Sequence, residues 1–591
     1  MPSFCKSGVG KIPSLSMGNI TIVVPDDVVM VTGPRIVGYI LHFILFGVLS
    51  LQVYIYSSAF PNDVLINKVF VYAAYLLEVT QSIMMSYTAF QVFAIGYGHG
   101  SGYDQVGITW FSIPLISGLV GFLAQAFYAY RLSILSRSWV VASVVLALAT
   151  IHLGGAIATA MIFKEAGLFS KLFGRNYLIT AGIWNGGGAL CDLIICISMA
   201  YYLAPELHLL CIATEKYDLA VFYPKLAPYF CLVMATNGNG TVVEIPDDFV
   251  LMIGPRLIGH ILHFTLFGVL SLQVYIYAIG LPKDSLFNKI CVTYVYLLAT
   301  AQTGMMAQMA YRVFATGYGQ PSYYNSIGPT WFSIPLVSGL VTFAVQLFYA
   351  RRLLLLSRSK VVAGLIVALS TVQLAGAIAT AVVFKQAGYF STLFDTKFHL
   401  VLTAGIWNGG GALCDVLIVG ATTHYLLSLH SGQFKSTQLV VNKLIRLAIE
   451  TGMLTAIVAI MNFIFCLLPS RPSFSEATSE ILAAVYANSM MLVLNTRIRA
   501  VPTDVEEPHV PAPKWINRHS ILAQGNGAIV NKHPTMRNLD GIKITTEEIV
   551  FTSVGEIRSV ANKDDHDTDS EISEISSRLS DPQRPSSYMR A

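Results

Sequence analysis

Apolar runs long enough to cross a lipid bilayer recur along this 591-residue chain and stop near Leu494. A helix needs about 20 such residues to span a hydrocarbon core that is about 30 Å thick. Hydrophobic residues make up 54% of the chain and charged residues only 12%, a balance that a water-exposed surface does not sustain. The runs lack the alternation of a transmembrane β-barrel. The sequence therefore predicts an all-α, polytopic transmembrane helix bundle.

The composition also limits the partners that we expect. The net charge of +4 is spread over loops and a tail, which gives no support for nucleic-acid binding, and the lipid bilayer is the predicted surrounding. The eight cysteines lack the paired spacing of a disulfide framework or a zinc site, and no cofactor or metal is predicted. The first 16 residues lack the apolar core of a secretory signal peptide. The predicted location is a membrane, with plasma membrane and endomembranes not distinguished.

The same series of predicted helices occurs twice along the chain. The eleven residues 182–192, GIWNGGGALCD, recur letter for letter at 405–415, an offset of 223 (405 − 182). The tripeptide Gly-Pro-Arg at 33–35 recurs at 254–256, an offset of 221 (254 − 33), so a two-residue insertion lies between these motifs. The predicted helices of the first repeat cover residues 33–60, 69–96, 110–132, 139–163 and 177–203. The second repeat adds a sixth helix at 444–468 and a short seventh at 481–494.

The two repeats, one with five helices and one with seven, divide the chain into five parts. These parts are an extracytoplasmic segment (1–32), a truncated five-helix repeat (33–203), a linker (204–248), a complete seven-helix repeat (249–497) and a cytoplasmic tail (498–591). The tail is rich in proline, serine and acidic residues and cannot bury enough apolar surface to fold alone. It is therefore predicted to be disordered.

The distribution of lysine and arginine predicts the orientation of the repeats. In the second repeat, the segments after helices one, three, five and seven carry 11 Lys and Arg residues, and the opposite side carries five. This excess predicts an outside N-terminus and a cytoplasmic tail. Glycosylation sequons at Asn19 and Asn239 each precede the first helix of a repeat and favour the same orientation. Arg131 and Arg137 match the basic loop of the second repeat, so both repeats are predicted to face the same way.

Two repeats with the same orientation leave one crossing unexplained, because five helices that start outside end inside. The best crossing segment is Leu219–Thr236, but it contains two prolines and Lys225. A central lysine costs roughly 2.5–3.5 kcal/mol on insertion scales. An alternative is that residues 204–248 result from the fusion of two neighbouring genes or from an incorrect gene model. Met234 precedes the second repeat as Met17 precedes the first, which favours this alternative.

Several motifs of the chain resemble those of a known family. They are GPRLIG at 254–259, LFGVLSLQ at 266–273, WNGGG at 407–411, ETG at 450–452, and YANS to LNTR at 486–497. These motifs are similar to those of a mushroom-type fungal family of multi-pass membrane proteins, which is catalogued as a domain of unknown function. The resemblance covers the second repeat and the first repeat up to about Leu203. It implies one seven-helix unit per protein, from which this chain departs, and no activity, substrate or catalytic residue.

Polar residues inside the predicted helices form a candidate intramembrane site. The candidates are Trp184, Asn185, Asp192, Trp407, Asn408, Asp415, Gln302, Gln346, His263 and Glu450. Trp407, Gly411 and Asp415 are spaced i, i+4 and i+8, which places them on one helix face. An ionisable residue at mid-depth is a functional-site hypothesis by default. The alternative is that Asp415 bonds Gln302 or Gln346 across helices and fixes packing.

Three classes of function remain open at this point. A receptor- or sensor-like protein is favoured, with an unknown ligand in the helix bundle and a cytoplasmic partner for the tail, although many activities share such an architecture. A small-solute transporter that uses the mid-membrane Asp415 is the alternative. An intramembrane enzyme is disfavoured because the repeats share only one helix histidine pair, His42 and His263. No catalytic residue is predicted.

Overall fold

The computed structural model describes residues 26–97, 102–172, 174–213, 248–393, 397–430, 453–465, 472–502 and 542–546. Eleven helices in these ranges are long and apolar enough to cross a membrane, and a shorter apolar helix lies at Met453–Phe465. The prediction of an all-α, polytopic bundle is confirmed. The chain is therefore a multi-pass membrane protein.

Five long helices make up the first repeat. They are α1 (Asp26–Ala59), α2 (Leu65–Phe90), α3 (Ser117–Ser136), α4 (Trp139–Ala166) and α5 (Arg175–Ala213). A π-helix at Gln91–Ile95 continues α2, another at Phe111–Ile116 leads into α3, and a 3-10 turn covers Phe169–Lys171. The second π-helix contains Pro114, which has no N–H to donate, so the wider turn fits a residue that an α-helix interior tolerates poorly.

The second repeat follows the same plan and adds two helices. Its helices are α6 (Asp248–Gly280), α7 (Leu286–Tyr311), α8 (Pro321–Asn325), α9 (Ser338–Ser357), α10 (Lys360–Ala387), α11 (Phe390–Leu393), α12 (Lys397–His430), α13 (Met453–Phe465) and α14 (Pro472–Asn495). The π-helices recur at Arg312–Thr316 and Phe332–Val337. Helices α6, α7, α9, α10 and α12 correspond to α1–α5, and α14 packs against α6 and α9.

Two helix boundaries differ from the sequence prediction by nine residues or more. Helix α14 begins at Pro472, nine residues before the predicted start at Ile481 (481 − 472). The predicted helix excluded Glu476 and Glu480, whereas both are buried within α14. Helix α5 continues to Ala213, ten residues past the predicted end at Leu203 (213 − 203).

In the tail, the structure describes two short strands. Strands β1 (Ile498–Pro502) and β2 (Ile542–Thr546) pair antiparallel, with Ile498 opposite Thr546. The rest of the tail predicted to be disordered, the two sequons at Asn19 and Asn239, and Glu450 lie outside the described residues.

Helices α1 and α6 cross at two glycines, where the backbones of the two repeats meet. A Cβ atom added to Gly268 would lie 1.9 Å from the carbonyl oxygen of Ile44, and one added to Gly47 would lie 2.0 Å from that of Thr265. Such distances are far inside van der Waals contact. Small residues at a membrane helix crossing allow this close approach, so any side chain at either position would force α1 and α6 apart.

A reciprocal pair of tyrosines joins the repeats a second time, just beyond the π-helices. The Tyr97 hydroxyl donates to the carbonyl of Gly317 at 2.6 Å, and the Tyr318 hydroxyl donates to that of Gly96 at 2.6 Å. The two rings lie 5.1 Å apart. Burial raises the pKa of both hydroxyls, which keeps them protonated as donors. Corresponding residues thus exchange equivalent bonds, as in a two-fold symmetric pair.

Contacts near the start of α1 establish that the repeats face the same way. Gly33 of α1 lies against the hydroxyl of Tyr311 at the end of α7. The segment that follows α7 in turn lies beside the start of α6, because Arg256 donates to the carbonyl of Tyr324 in α8 at 3.1 Å. Helices α1 and α6 therefore begin at the same end of the bundle. Below, this end is called the outer end and the opposite one the inner end.

Candidate functional site

A buried ion pair joins the outer parts of α6 and α14. Arg256 donates through Nε and Nη2 to Glu476 Oε1, at 2.9 and 2.7 Å, and through Nη2 to Oε2 at 2.8 Å. The two residues are 3% and 6% exposed. Besides its bond to Tyr324, the guanidinium lies 4.6 Å over the ring of Phe390. Fork geometry of this kind is the strong form of a charge-assisted hydrogen bond, so Glu476 is fixed in direction as well as in charge.

A second carboxylate lies one turn further along α14. His260 Nδ1 is 2.8 Å from Glu480 Oε2, and the carbonyl of Glu480 is 3.0 Å from His263 Nδ1. His263 Nε2 is in turn 3.1 Å from the Thr303 hydroxyl of α7. Among the described residues, Glu480 Oε1 and His260 Nε2 have no hydrogen-bond partner. Arg256 balances one of the two carboxylates, and the other is balanced only when His260 or Glu480 holds a proton.

Asp415 of α12 lies in a sealed contact between helices. Its Oδ1 accepts from Gln346 Nε2 of α9 at 3.3 Å, and its Oδ2 accepts from the Tyr486 hydroxyl of α14 at 2.7 Å. Thr455 of α13 also hydrogen-bonds to it. Ser370 of α10 donates to Gln346 Oε1 at 2.7 Å, which orients the amide. Four helices therefore meet at this carboxylate, which is 4% exposed, and α10 is joined to it through Gln346.

Asn408 forms a third polar link, about two turns from Asp415 toward the outer end. The Asn462 amide of α13 donates to Asn408 Oδ1 at 2.8 Å. Asn462 Oδ1 in turn accepts from Thr478 at 2.9 Å and from Ser479 at 3.0 Å, both on α14. One asparagine thus ties together α12, α13 and α14.

At the inner end, α14 is tied to the turn between α6 and α7. Asp284 accepts hydrogen bonds from the guanidinium of Arg497, from the Tyr277 hydroxyl at 2.8 Å and from the backbone N–H of Ser285 at 2.8 Å. Burial acts to raise the pKa of Asp284, but these donors outweigh it and hold the pKa below its usual range. Ion pairs near both ends of α14 therefore anchor it to α6 and to the turn after α6.

The corresponding residues of the first repeat have different surroundings. Asp192 Oδ1 accepts from Gln125 Nε2 at 3.0 Å, as Asp415 does from Gln346, but Asp192 and Asn185 are exposed. Arg35 repeats the contacts of Arg256 with a carbonyl, that of Tyr103 at 3.0 Å, and with a ring, that of Phe169 at 4.3 Å. Its buried Nη2 has no partner among the described residues.

The remaining predicted residues are scattered through the bundle. Gln302 donates to the carbonyl of Ser333 at 3.0 Å rather than to Asp415. Trp407 is 3% exposed, and its Nε1 has no partner within the described part of the chain. The carbonyl of Trp184 lies 2.8 Å from His152 Nδ1. The structure thus brings Gln346 and Asp415 together and leaves the others as separate helix contacts.

Sequence reasoning missed the residues of the outer cluster, which we define as Arg256, His260, His263, Glu476 and Glu480. Only His263 was a candidate. The signal that could have found them is spacing, since the arginine and first histidine are i, i+4 on α6 and the glutamates are i, i+4 on α14. Two opposite charges on facing helices of a membrane bundle are expected to pair.

Together, the fold and this site define a multi-pass membrane protein whose last described helix is held to the first helix of its repeat by a buried ion pair. Residues 411–499 match the profile of a family described as "Family of unknown function (DUF6534)". The match begins within α12 and includes α13, α14 and the start of β1. No curated protein and no solved structure matches the chain.

Proposed function

We propose that residues 249–497 form a complete seven-helix, receptor- or sensor-like unit with its N-terminus outside and its tail in the cytoplasm. One observation carries this proposal: α14 is joined to α6 near the outer end through Glu476 and Glu480, and at the inner end Arg497 is joined to the turn after α6. The tail begins at residue 498, directly after this inner anchor. A change at the outer cluster would therefore reach the tail along a single helix.

The hydrogen bonds to Asp415 favour a sensor over the transporter alternative. A transporter that binds a solute or a coupling ion through this carboxylate would need an oxygen directed into a cavity. Both oxygens of Asp415 instead accept hydrogen bonds from other helices. Its role in the proposed sensor is to hold α12 against α9 and α14.

The proposal is tested by altering the outer end and measuring the inner end. Cys291 of α7 is half-buried and lies seven residues after the anchor at Asp284 (291 − 284), so its alkylation rate reports on the inner end. The full chain, with Cys291 as its sole cysteine, is placed in proteoliposomes with the outer end facing outward. Glu480→Gln is expected to change this rate, because it removes the carboxylate that lies 2.8 Å from His260 Nδ1. Tyr39→Phe is the matched control, because Tyr39 occupies the position of His260 in the first repeat, for which the described part of the chain contains no counterpart of α14.

An unchanged rate at Cys291 in both Glu480→Gln and His260→Gln would contradict the sensor proposal. Flux of a small solute through the same proteoliposomes, lost in Asp415→Asn, would instead favour the transporter. The two experiments share one preparation, so a folding defect would be seen in both.

A further inference from the structure

The contact between the two repeats is reciprocal where α1 crosses α6. Gly268 of α6 faces the carbonyl oxygen of Ile44, and Gly47 of α1 faces that of Thr265. One offset of 221 residues relates the two glycines (268 − 47) and also the two carbonyl groups (265 − 44). Each repeat therefore gives the other a glycine and a carbonyl group from the same two positions.

Aromatic residues at the π-helices continue this reciprocity. The ring of Phe93 lies 5.5 Å from that of its own equivalent, Phe314. The rings of Tyr97 and Tyr318, which also correspond, lie 5.1 Å apart and exchange equivalent hydrogen bonds. A residue that contacts its own equivalent lies beside a two-fold axis. The pseudo-two-fold axis that relates the repeats therefore passes between these rings.

The sequence difference at the helix crossing leaves the symmetry intact. Ile44 and Thr265 have different side chains, but the atoms that face the two glycines belong to the backbone. The Thr265 hydroxyl bonds within α6 to the carbonyl of Ile261 at 2.9 Å and makes no demand on the partner helix. A second copy of α6 would therefore present the same carbonyl oxygen to Gly268 that α1 presents.

A second difference, nearer the outer end, is also compatible with symmetry. A Cβ atom added to Gly33 would lie 3.0 Å from the Tyr311 hydroxyl, and one added to Gly254 would lie 2.8 Å from the ring of Phe90. Tyr311 and Phe90 correspond and differ only by that hydroxyl group. If a second copy replaced the first repeat, Tyr311 would face Gly254, and the contact at Gly33 shows that this motif accommodates a tyrosine.

A contact of this symmetry is one that two separate copies can form in a membrane. A two-fold interface is isologous, which means that one patch is complementary to itself. Copies inserted with the same orientation are related by a two-fold axis along the membrane normal. Helices α1 and α6 begin at the same end of the bundle, so the axis between the repeats has this direction. Each repeat thus carries a surface that fits a second copy of itself.

We propose that the surface of the second repeat around Gly268 and Tyr318 is a homodimerisation surface, and that the first repeat serves as its built-in partner. Joining two binding modules in one chain makes their association intramolecular, so the first repeat outcompetes a second copy of the chain. The role of the first repeat is then to occupy this surface. A chain whose first repeat is displaced from α6 pairs instead with the second repeat of another copy.

Two other glycines of the same helices lie off this surface. A Cβ atom added to Gly259 of α6 would lie 2.6 Å from Glu480 Oε2 and 2.8 Å from the Cα of Ala477, so this glycine faces α14. At the corresponding Gly38 of α1, no described atom lies within 4 Å of an added Cβ. A leucine at Gly38 therefore adds the same apolar volume to α1 as one at Gly47 but does not displace α6.

Co-purification of two differently tagged, co-expressed full chains in bicelles tests the surface. Gly47→Leu displaces α1 and leaves the surface of α6 intact, and Gly268→Leu does the reverse. Each single variant is expected to raise recovery of the second tag at least about tenfold over the unaltered chain, because each leaves one self-complementary surface free. Gly38→Leu, the matched control, should leave recovery unchanged. Gly47→Leu/Gly268→Leu has neither surface intact and should return recovery to that of the unaltered chain.

The double variant separates specific pairing from misfolding. Association caused by a folding defect would be greatest in the double variant, and that result would overturn the proposal. Single variants that recover no more of the second tag than the unaltered chain would also overturn it, because the surface would then fit only the first repeat.

The tyrosine pair tests the location of the contact between copies. In the Gly47→Leu chain, Tyr318→Phe removes both hydrogen bonds that two second repeats would exchange, whereas Tyr97→Phe alters only the displaced repeat. Recovery of the second tag is expected to fall with Tyr318→Phe and to stay unchanged with Tyr97→Phe. Equal recovery with the two variants would overturn the assignment of this surface.

Discussion

Removal of Arg256 should destabilise the second repeat far more than removal of its equivalent, Arg35, destabilises the first. Both arginines donate to a carbonyl and lie over a phenylalanine ring, but among the described residues only Arg256 has a carboxylate partner. Arg256→Met leaves Glu476 buried and unpaired, which costs about 3–5 kcal/mol. Arg35→Met loses one hydrogen bond, about 0.5–1.5 kcal/mol, and a cation–π contact of about 0.5–2 kcal/mol. Arg256→Met/Glu476→Met removes both charges and should cost less than Arg256→Met alone.

Two equivalent cysteines allow each repeat to be measured separately in the same chain. Cys191 of α5 and Cys414 of α12 are free and 0% exposed, and each reacts with an alkylating reagent only when its repeat opens. Chains that keep one of the two as the sole cysteine are pulsed with reagent in bicelles. For Arg256→Met, a loss of about 3–5 kcal/mol corresponds to an increase of roughly two to nearly four powers of ten in the opening equilibrium read at Cys414.

The internal comparison provides the result that would refute this reasoning. If Arg35→Met accelerated Cys191 as much as Arg256→Met accelerates Cys414, the buried carboxylate would contribute nothing beyond the ring and carbonyl contacts. If the double variant were less stable than Arg256→Met, the penalty would not come from an uncompensated charge.

Three further predictions use the same pairing of repeats. Gly259→Ala should lower the unfolding temperature, because overpacking costs about 1–3 kcal/mol, whereas Gly38→Ala should leave it unchanged or raise it through better helix propensity; differential scanning fluorimetry of both variants measures this, and equal shifts would contradict it. Asp415→Ala leaves a tyrosine hydroxyl and a glutamine amide buried without their acceptor, and each unsatisfied donor costs about 1–3 kcal/mol. Asp192→Ala leaves only one amide without its acceptor. Asp415→Ala should therefore lower the unfolding temperature more than Asp192→Ala. Because the pKa of Asp284 is lower in the folded than in the unfolded chain, its contribution to stability is present above the unfolded value of about 4 and is lost as the pH falls through the folded value. Unfolding temperatures measured between about pH 6 and pH 3 should therefore fall less steeply for Asp284→Asn than for the unaltered chain, and parallel curves would count against this anchor.

Much of the fold was predictable because the length of an apolar run is enough to identify a membrane-spanning helix. The start of α4 at Trp139 was predicted to the residue, and its end lies three residues past the predicted Phe163, at Ala166 (166 − 163). The start of α14 could not be found in this way. Its first turns carry Glu476 and Glu480, and hydropathy treats a buried, paired glutamate like a solvated one. Only the facing helix shows that these charges are paired.

The candidate site was predictable where one helix carried the information and unpredictable where two helices shared it. The depth of Asp415 followed from its position within one apolar run, and of the two glutamines considered as partners the structure selects Gln346. The choice depends on the rotation of α9 relative to α12, and no periodicity within either helix specifies that angle. The outer cluster depends in the same way on the contact between α6 and α14.

Comparison of the two repeats shows that identical polar residues have different surroundings and therefore different roles. Asn185 and Asn408 are the same residue in the same motif, as are Asp192 and Asp415, yet the first of each pair is exposed and the second is buried. What differs is α13 and α14, whose Asn462 and Tyr486 bond the buried pair. The shared motif is therefore best understood as the docking surface for the last two helices of the unit. On this view, substitution of the motif in the second repeat acts on the attachment of α14 and, through it, on the inner anchor that precedes the tail.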